Sequence, residues 1–149
     1  AASDVYKRQA LTLARQTLAQ ANAALAERFS PRLVREASEI FSELTGGRYA
    51  RVQISRQMEL EAGQPDAAMR RSLFLSGGTA DELYLSVRLA VCRLLLPEDA
   101  PLLLDDALVM FDDDRLRLAL RLLQREAANR QILLFTCQHR EQKALTTDL

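Results

Sequence analysis

Three groups of residues have types and spacings suited to chemistry. Leu75-Ser76-Gly77-Gly78-Thr79 stands immediately before a long helical run. Paired glycines let backbone N–H groups approach an anion closely, a following helix adds its positive dipole end, and Ser76 adds a hydroxyl. Taken alone, the loop also reads as an ordinary helix cap. Leu102-Leu103-Leu104-Asp105-Asp106 is an apolar strand that delivers two carboxylates at its C-terminal end, where open α/β sheets bind ligands. One carboxylate suits Mg²⁺, which takes oxygen ligands, and its neighbour suits a water that must be oriented or deprotonated. Gln131 to His139 is a strand running into a polar turn that holds the only histidine of the chain, and a Gln or neutral His there can sense a phosphate by hydrogen bonding.

The spacing ties the three groups together. Gly78 and Asp105 are 27 residues apart and Asp105 and His139 are 34 apart, each the length of one helix and one strand. Asp112 lies seven residues beyond Asp105 and opens the intervening helix.

The elements that must hold these residues follow from apolar periodicity. Ala10 to Phe29 lacks Gly and Pro, and Leu11, Leu18 and Leu25 recur every seven residues with Ala14 and Ala21 between them. This pattern fits either an amphipathic helix packed on its own domain or the stub of a longer coiled coil. Ser30-Pro31 is expected to restart the helix. Leu33, Ala37, Ile40 and Leu44 then share a face, with Val34 and Phe41 beside it, until Gly46-Gly47 stops the run. Ala50, Val52 and Ile54 alternate with Tyr49, Arg51 and Gln53, and Met58, Leu60 and Ala62 alternate after the Ser55-Arg56-Gln57 turn. This predicts an antiparallel hairpin, with a polar flexible connection from Gly63 to Arg71.

Asp81 to Leu96 predicts a helix apolar nearly all round, hence buried. Pro101 to Leu104 and Gln131 to Thr136 predict buried strands flanking a helix over Asp113 to Asn129. That helix turns Leu116, Ala119, Leu120 and Leu123 inward and Arg115, Arg117, Arg121 and Arg125 largely outward. Strand, helix, strand with continuous apolar strands is a parallel βαβ unit, so the fold class is α/β.

This order resembles the C-terminal lobe of an ABC-type ATPase head: signature loop, Walker B strand, D-loop and switch residue. The segment Ala37 to Val52, the Leu-Ser-Gly-Gly-Thr loop, the Leu-Leu-Leu-Asp-Asp strand and Phe135-Thr136-Cys137 are similar to SMC-like ATPases of the SbcC and YhaN type. The resemblance covers about residues 30 to 145. It implies that Ser76, Gly77 and Gly78 meet the γ-phosphate of ATP bound on an opposing head, that Asp105 holds Mg²⁺, and that Asp106 is the general base. It also implies that Asp112 is the D-loop aspartate reaching across the dimer, with Gln138 or His139 as the switch residue. The base in such heads is usually Glu, so Asp106 is one methylene short, and His139 falls one residue late. The resemblance further implies partners: an N-terminal lobe carrying the Walker A loop, a second head, DNA and a nuclease subunit. Residues 1–30 would be the end of a coiled-coil arm and 31–149 the ATPase lobe.

The chain contains no Gly-x-x-x-x-Gly-Lys-Ser/Thr loop, so it is expected to supply half an active site and to bind ATP poorly by itself. It opens Ala1-Ala2-Ser3-Asp4 without Met, and is expected to be a C-terminal fragment whose residues 1–9 are non-native. Of its 149 residues 48% are hydrophobic and 27% charged, which excludes disorder. Twenty Lys plus Arg balance twenty Asp plus Glu, so no whole-chain basic footprint points to nucleic acid. Two distant cysteines and no membrane-length apolar run suit a cytoplasmic protein without a membrane partner. The rival functions are a non-catalytic coiled-coil adaptor with a degenerate ATPase lobe and the ABC ATPase subunit of a transporter.

Overall fold

In the computed structural model, which describes residues 2–55 and 59–147, a 43-residue helix α1 (Ala2–Leu44) leads into two small sheets and three further helices. The chain divides into two compact units, Ala1–Arg32 and Leu33–Leu149.

In the first unit, Leu11 and Leu18 of the heptad are 71% and 70% exposed. The side chains of Leu25 and Ser30 lie outside the described residues. The helical restart expected at Ser30-Pro31 is not a boundary, because Pro31 lies inside α1. A proline removes one ladder hydrogen bond, and the Leu, Arg, Glu and Ala residues that follow favour helix strongly enough to continue it.

The second unit contains the site. Ala37, Ile40, Phe41 and Leu44 of α1 are fully buried, as their spacing predicts. Gly46 and Gly47 take φ of 60° and 81°, and Gly47 N–H donates to the Ser42 carbonyl, closing the helix end. Strands β1 (Arg51–Ile54) and β2 (Leu60–Gly63) form the expected antiparallel hairpin, with Val52 opposite Ala62 and both buried. Met58 and the Arg56-Gln57 turn lie outside the described residues. The supposed flexible connection ends in a third strand, β3 (Arg70–Arg71), pairing Arg70 with Ala62 and Arg71 with Glu61. Two exposed arginines carry no hydrophobic alternation, so the strand rests on backbone pairing and on the Arg71 ion pair with Glu59. Ser38 Oγ accepts from Val52 N–H at 2.9 Å and ties the hairpin to α1.

Helix α2 spans Gly77–Leu95, starting four residues before the expected Asp81. It is not buried all round: Tyr84 and Leu95 are exposed, and the buried face carries Thr79, Glu82 and Ser86 beside Leu83, Leu85 and Leu89. Strand β4 (Leu102–Asp105), helix α3 (Asp113–Glu126) and strand β5 (Ile132–Phe135) form the predicted parallel βαβ unit, in register from Leu102 with Ile132 to Asp105 with Phe135. Helix α3 ends three residues before the expected Asn129 and buries Leu122 in addition to Leu116, Ala119, Leu120 and Leu123. The strands are covered on one face only. Leu103, Leu133 and Phe135 are 67%, 39% and 53% exposed, although the unbroken apolar runs imply cover on both. Beyond the expected polar turn, His139–Thr147 forms helix α4. Arg93 joins three helices, pairing with Glu126 of α3 and with Glu36 of α1 at 3.3 Å.

Phe41 is fully buried whereas Leu18 is exposed. Phe41→Ala should therefore cost about 3–5 kcal/mol in urea denaturation, and Leu18→Ala no more than about 0.5 kcal/mol. Equal losses would show that the core is misassigned.

Candidate functional site

The site is built at the C-terminal end of the β4–β5 ladder. Asp105 is the last residue of β4 and is exposed, and its carboxylate makes no hydrogen bond or ion pair among the described residues. Asp106 follows with φ of 47°, the one positive-φ non-glycine residue among those described. The left-handed conformation costs about 1–2 kcal/mol for most residues, and Asp is among the few that visit it as a single residue. Here it turns the chain sharply while Asp106 N–H still donates to the Phe135 carbonyl at 2.9 Å. The Asp106 Oδ1 atom accepts from Cys137 N–H at 3.2 Å, so the carboxylate is fastened to the loop after β5. Its other oxygen has no hydrogen-bond partner among the described residues.

That loop continues through Gln138 to His139, the first residue of α4. Gln138 Oε1 accepts from Arg140 Nε at 2.6 Å, and Gln138 N–H donates to Thr136 Oγ1 at 3.0 Å. Arg140 also donates to the Leu108 and Val109 carbonyls at 3.3 and 3.1 Å, and lies 3.7 Å from Asp113 Oδ1. The loop after β5 thus braces the segment that follows Asp106. Neither Gln138 nor His139 hydrogen-bonds to the Asp106 side chain among the described residues; the Cys137 amide does.

Asp112 caps α3, its Oδ1 accepting from Arg115 N–H at 2.9 Å, and Asp113 and Asp114 fill the acidic first turn. Ser76 is the N-cap of α2 with extended backbone, but its side chain makes no cap hydrogen bond. The first-turn amides of α2 therefore have no side-chain acceptor and remain suited to an external anion. Ser76 Oγ lies 2.9 Å from Thr79 Oγ1 instead.

Arg115 departs from its expected outward position. Its side chain is 22% exposed and reaches Glu82 and Thr79 of α2. Arg117, Arg121 and Arg125 are exposed as predicted, with Arg117 paired to Asp114 at 2.8 Å and Arg125 paired to Glu43. Arg115 also lines a cavity of about 230 Å³ together with Arg48, Thr79, Glu82 and Asp112 among others. Glu82 is 1% exposed, and neither carboxyl oxygen has a hydrogen-bond partner. Burial pushes its carboxyl up from 4.5 to about 7; the Arg115 guanidinium opposes this, the Asp112 carboxylate reinforces it, and Arg48 opposes it. Glu82 and Arg115 are missed by motif reading. The signal for Glu82 is the spacing of Thr79, Glu82 and Ser86, a polar stripe at helical intervals on an otherwise apolar helix.

The residues fit the group that Asp105 is expected to hold. Magnesium is usually bound by one or two carboxylates plus substrate phosphates and water, and one unengaged carboxylate at a strand end matches that share. Among the described residues no cluster of three or more His, Cys, Asp or Glu could hold a metal by itself. No described helix is long and apolar enough to cross a membrane.

The chain is 36% identical over 110 residues to the uncharacterized protein YhaN of Bacillus subtilis (strain 168), a match covering 72% of this chain. The chain spans about 11% of that relative's length. No family model matches. Among solved structures, one from work on ATP-driven dimerization and DNA stimulated activation of SMC ATPases superposes with a TM-score of 0.68 at 19% identity, over 82% of this chain and 76% of that one. The Smc head of Pyrococcus furiosus, with an extended coiled coil and bound to the C-terminal domain of ScpA, gives 0.62 at 18% identity, over 93% and 38% of the two chains. The SMC head domain from Thermotoga maritima gives 0.60 at 18% identity, over 76% and 40%. The fold is that of the C-terminal lobe of an SMC head.

Because the Glu82 carboxyl sits above its unfolded value, the native state binds the extra proton between about pH 4.5 and 7. Stability should fall as pH rises through that window and level off above it. Glu82→Gln removes the titrating group, so it should flatten this slope and raise the melting temperature more at pH 8 than at pH 5. Parallel pH profiles for the two proteins would contradict the assignment.

Proposed function

We propose that this chain, with its SMC head fold and its kinship to YhaN, is the C-terminal half of an ATPase head that hydrolyses ATP between two engaged heads. The observation that carries the reading is the fastening of the Asp106 carboxylate to the Cys137 amide at the end of a parallel ladder, directly after the unengaged Asp105. Open parallel sheets bind ligands at this end. Strained single residues such as Asp106 cluster at active sites, where the surrounding structure holds them.

In this reading Asp105 would hold the Mg²⁺ that accompanies ATP, which would supply charge neutralisation at the phosphates. Asp106 orients the attacking water with its free carboxylate oxygen and accepts its proton. Holding Oδ1 on the Cys137 amide fixes the direction of the other oxygen, so any change at the loop after β5 is felt by the base. Gln138 or His139, carried on that loop, would report the γ-phosphate. Ser76 and Gly77 offer a hydroxyl and an open amide end to the phosphate on the opposing head, and Asp112 faces the same junction.

The exposed Leu103, Leu133 and Phe135 face of the ladder supports a phosphate loop carried on a second lobe. Uncovered apolar sheet surface seeks cover, and a Walker A lobe of the same protein would supply both the cover and the phosphate cradle. Residues 1–30 would be the returning end of a coiled-coil arm, which head engagement would move. DNA is the substrate of that movement in this reading by likeness to SMC ATPases. The arginines of α3 add little to it, since Arg117 and Arg125 are already paired with carboxylates and Arg115 is turned to α2, leaving Arg121 exposed.

In the full-length protein, Asp106→Asn keeps the side-chain shape and removes the basic carboxylate. Turnover should fall by about 100-fold or more, the range for losing a general base. ATP affinity should stay within about twofold, and engaged heads should accumulate with ATP in sedimentation. Hydrolysis at the wild-type rate would place the base elsewhere, and no ATP binding by the intact wild-type protein would favour the adaptor.

A further inference from the structure

Two adjacent glycines in the signature loop have different surroundings. A Cβ on Gly77 would meet only Met110 Cε, at 3.5 Å, which is ordinary contact, and Gly77 is exposed. A Cβ on Gly78 would stand 2.2 Å from an Arg115 guanidinium nitrogen and 3.0 Å from the Met110 carbonyl oxygen, and Gly78 is buried. Gly77 is thus open to a ligand, whereas Gly78 is small because Arg115 and the backbone before α3 occupy the space a side chain would need.

Arg115 reaches every part of this junction. Its Nη2 donates to Thr79 Oγ1 at 3.0 Å. Its Nε lies 3.3 Å from Glu82 Oε1 and 3.6 Å from Asp112 Oδ2. Thr79 Oγ1 in turn lies 2.9 Å from Ser76 Oγ. A hydroxyl oxygen that accepts from a guanidinium is polarised to donate onward, because hydrogen bonds in a chain strengthen one another. Arg115 has donors only, so the direction of the chain is set at that end. Either hydroxyl can donate in the Ser76–Thr79 bond; the polarisation of Thr79 by Arg115 favours donation from Thr79 to Ser76 Oγ, and that direction leaves the Ser76 hydroxyl hydrogen for an outside acceptor.

We propose that Arg115 and Thr79 are positioning residues forming a directed relay, Arg115 to Thr79 to Ser76, which aims the Ser76 O–H at an anionic oxygen and locks the loop to the Asp112 segment. The relay rests on the phosphate-reading role of Ser76 proposed above. It makes the loop and the start of α3 one unit, so a phosphate bound at Ser76 is linked through two hydrogen bonds and an ion pair to Asp112. Glu82 completes the seat: its buried carboxyl holds the guanidinium from beneath, next to Arg48.

The test uses the full-length protein and reads ATP-driven head engagement, kcat and KM for ATP. Thr79→Val keeps the shape and removes the hydroxyl. Arg115→Ala removes the source of the relay. Each should lower kcat by about tenfold or more, the scale of a lost charge-assisted hydrogen bond, and leave KM within about twofold. Thr79→Ser should restore most of the rate lost in Thr79→Val. The double variant should be no slower than the worse single one, because both break one chain. Wild-type kcat in Thr79→Val, no recovery in Thr79→Ser, or losses that multiply in the double variant would each overturn the relay. If Arg115→Ala does not fold, the Thr79→Val and Thr79→Ser pair decides alone. Ser76→Arg runs beside them: its inactivity leaves the phosphate-reading role standing whatever the relay variants do, and normal turnover there would overturn that role itself.

Discussion

A parallel strand pair cannot be closed by a tight turn, because the chain must travel back along the sheet before it pairs again. The ladder between Leu102–Asp105 and Ile132–Phe135 therefore obliges α3 to cross between the strands. It brings the end of β4 and the end of β5 to the same edge of the sheet. Asp105 and Asp106 leave one strand there, and Cys137, Gln138 and His139 leave the other. The Asp106 hydrogen bonds to Phe135 and Cys137 extend the ladder past its last paired residues. The proposed roles of Asp105, Asp106, Gln138 and His139 depend on that adjacency, and so does the position of Asp112 at the start of the crossover helix.

A second constraint is electrostatic. Glu82 is almost wholly removed from water and lacks hydrogen bonds, a position that disfavours its charged form. Arg115, and to a lesser degree Arg48, offset only part of the cost. Buried pairs of this kind stabilise weakly at best, since desolvation consumes most of the attraction. The place of the pair under the Ser76-Gly77-Gly78 loop fits a positional role better than a stabilising one. The Arg93 pairs with Glu36 and Glu126 are different, lying between three helices and partly solvated, where they cross-brace the fold.

Local patterns in the sequence carried most of the fold. The Leu33, Ala37, Ile40 and Leu44 face, the Gly46-Gly47 stop, the Val52 and Ala62 alternation and the stripe on α3 are each decided within a few residues, and each stands as expected. What stayed hidden depends on partners far along the chain. The α2 polar stripe is meaningful only because Arg115, 36 residues beyond Thr79, reaches it. Strand β3 exists only as an edge on β2, and α4 has no apolar stripe long enough to announce it. The one-sided cover of β4 and β5 was illegible because apolar strands state that both faces prefer cover without stating which chain provides it. The proposed site residues rest on type and spacing, whereas Arg115 and Arg140, which brace them, carry no motif, and Cys137 acts through a backbone amide that its side chain does not announce.

Which head's nucleotide meets Ser76 is the decisive question, and site-directed labelling answers it. Heads of the full-length protein carrying Ser76→Cys, with Cys92 and Cys137 replaced by Ser and their own phosphate loop disabled, are mixed with cysteine-free heads whose phosphate loop is intact. The probe is an ATP analogue with a thiol-reactive group on the γ-phosphate. Labelling of the residue 76 thiol should occur in the mixture and be absent when either kind of head is incubated alone. Equal labelling of the Ser76→Cys heads without a partner, or none in a mixture whose heads bind the analogue, would contradict a signature loop that works across two heads.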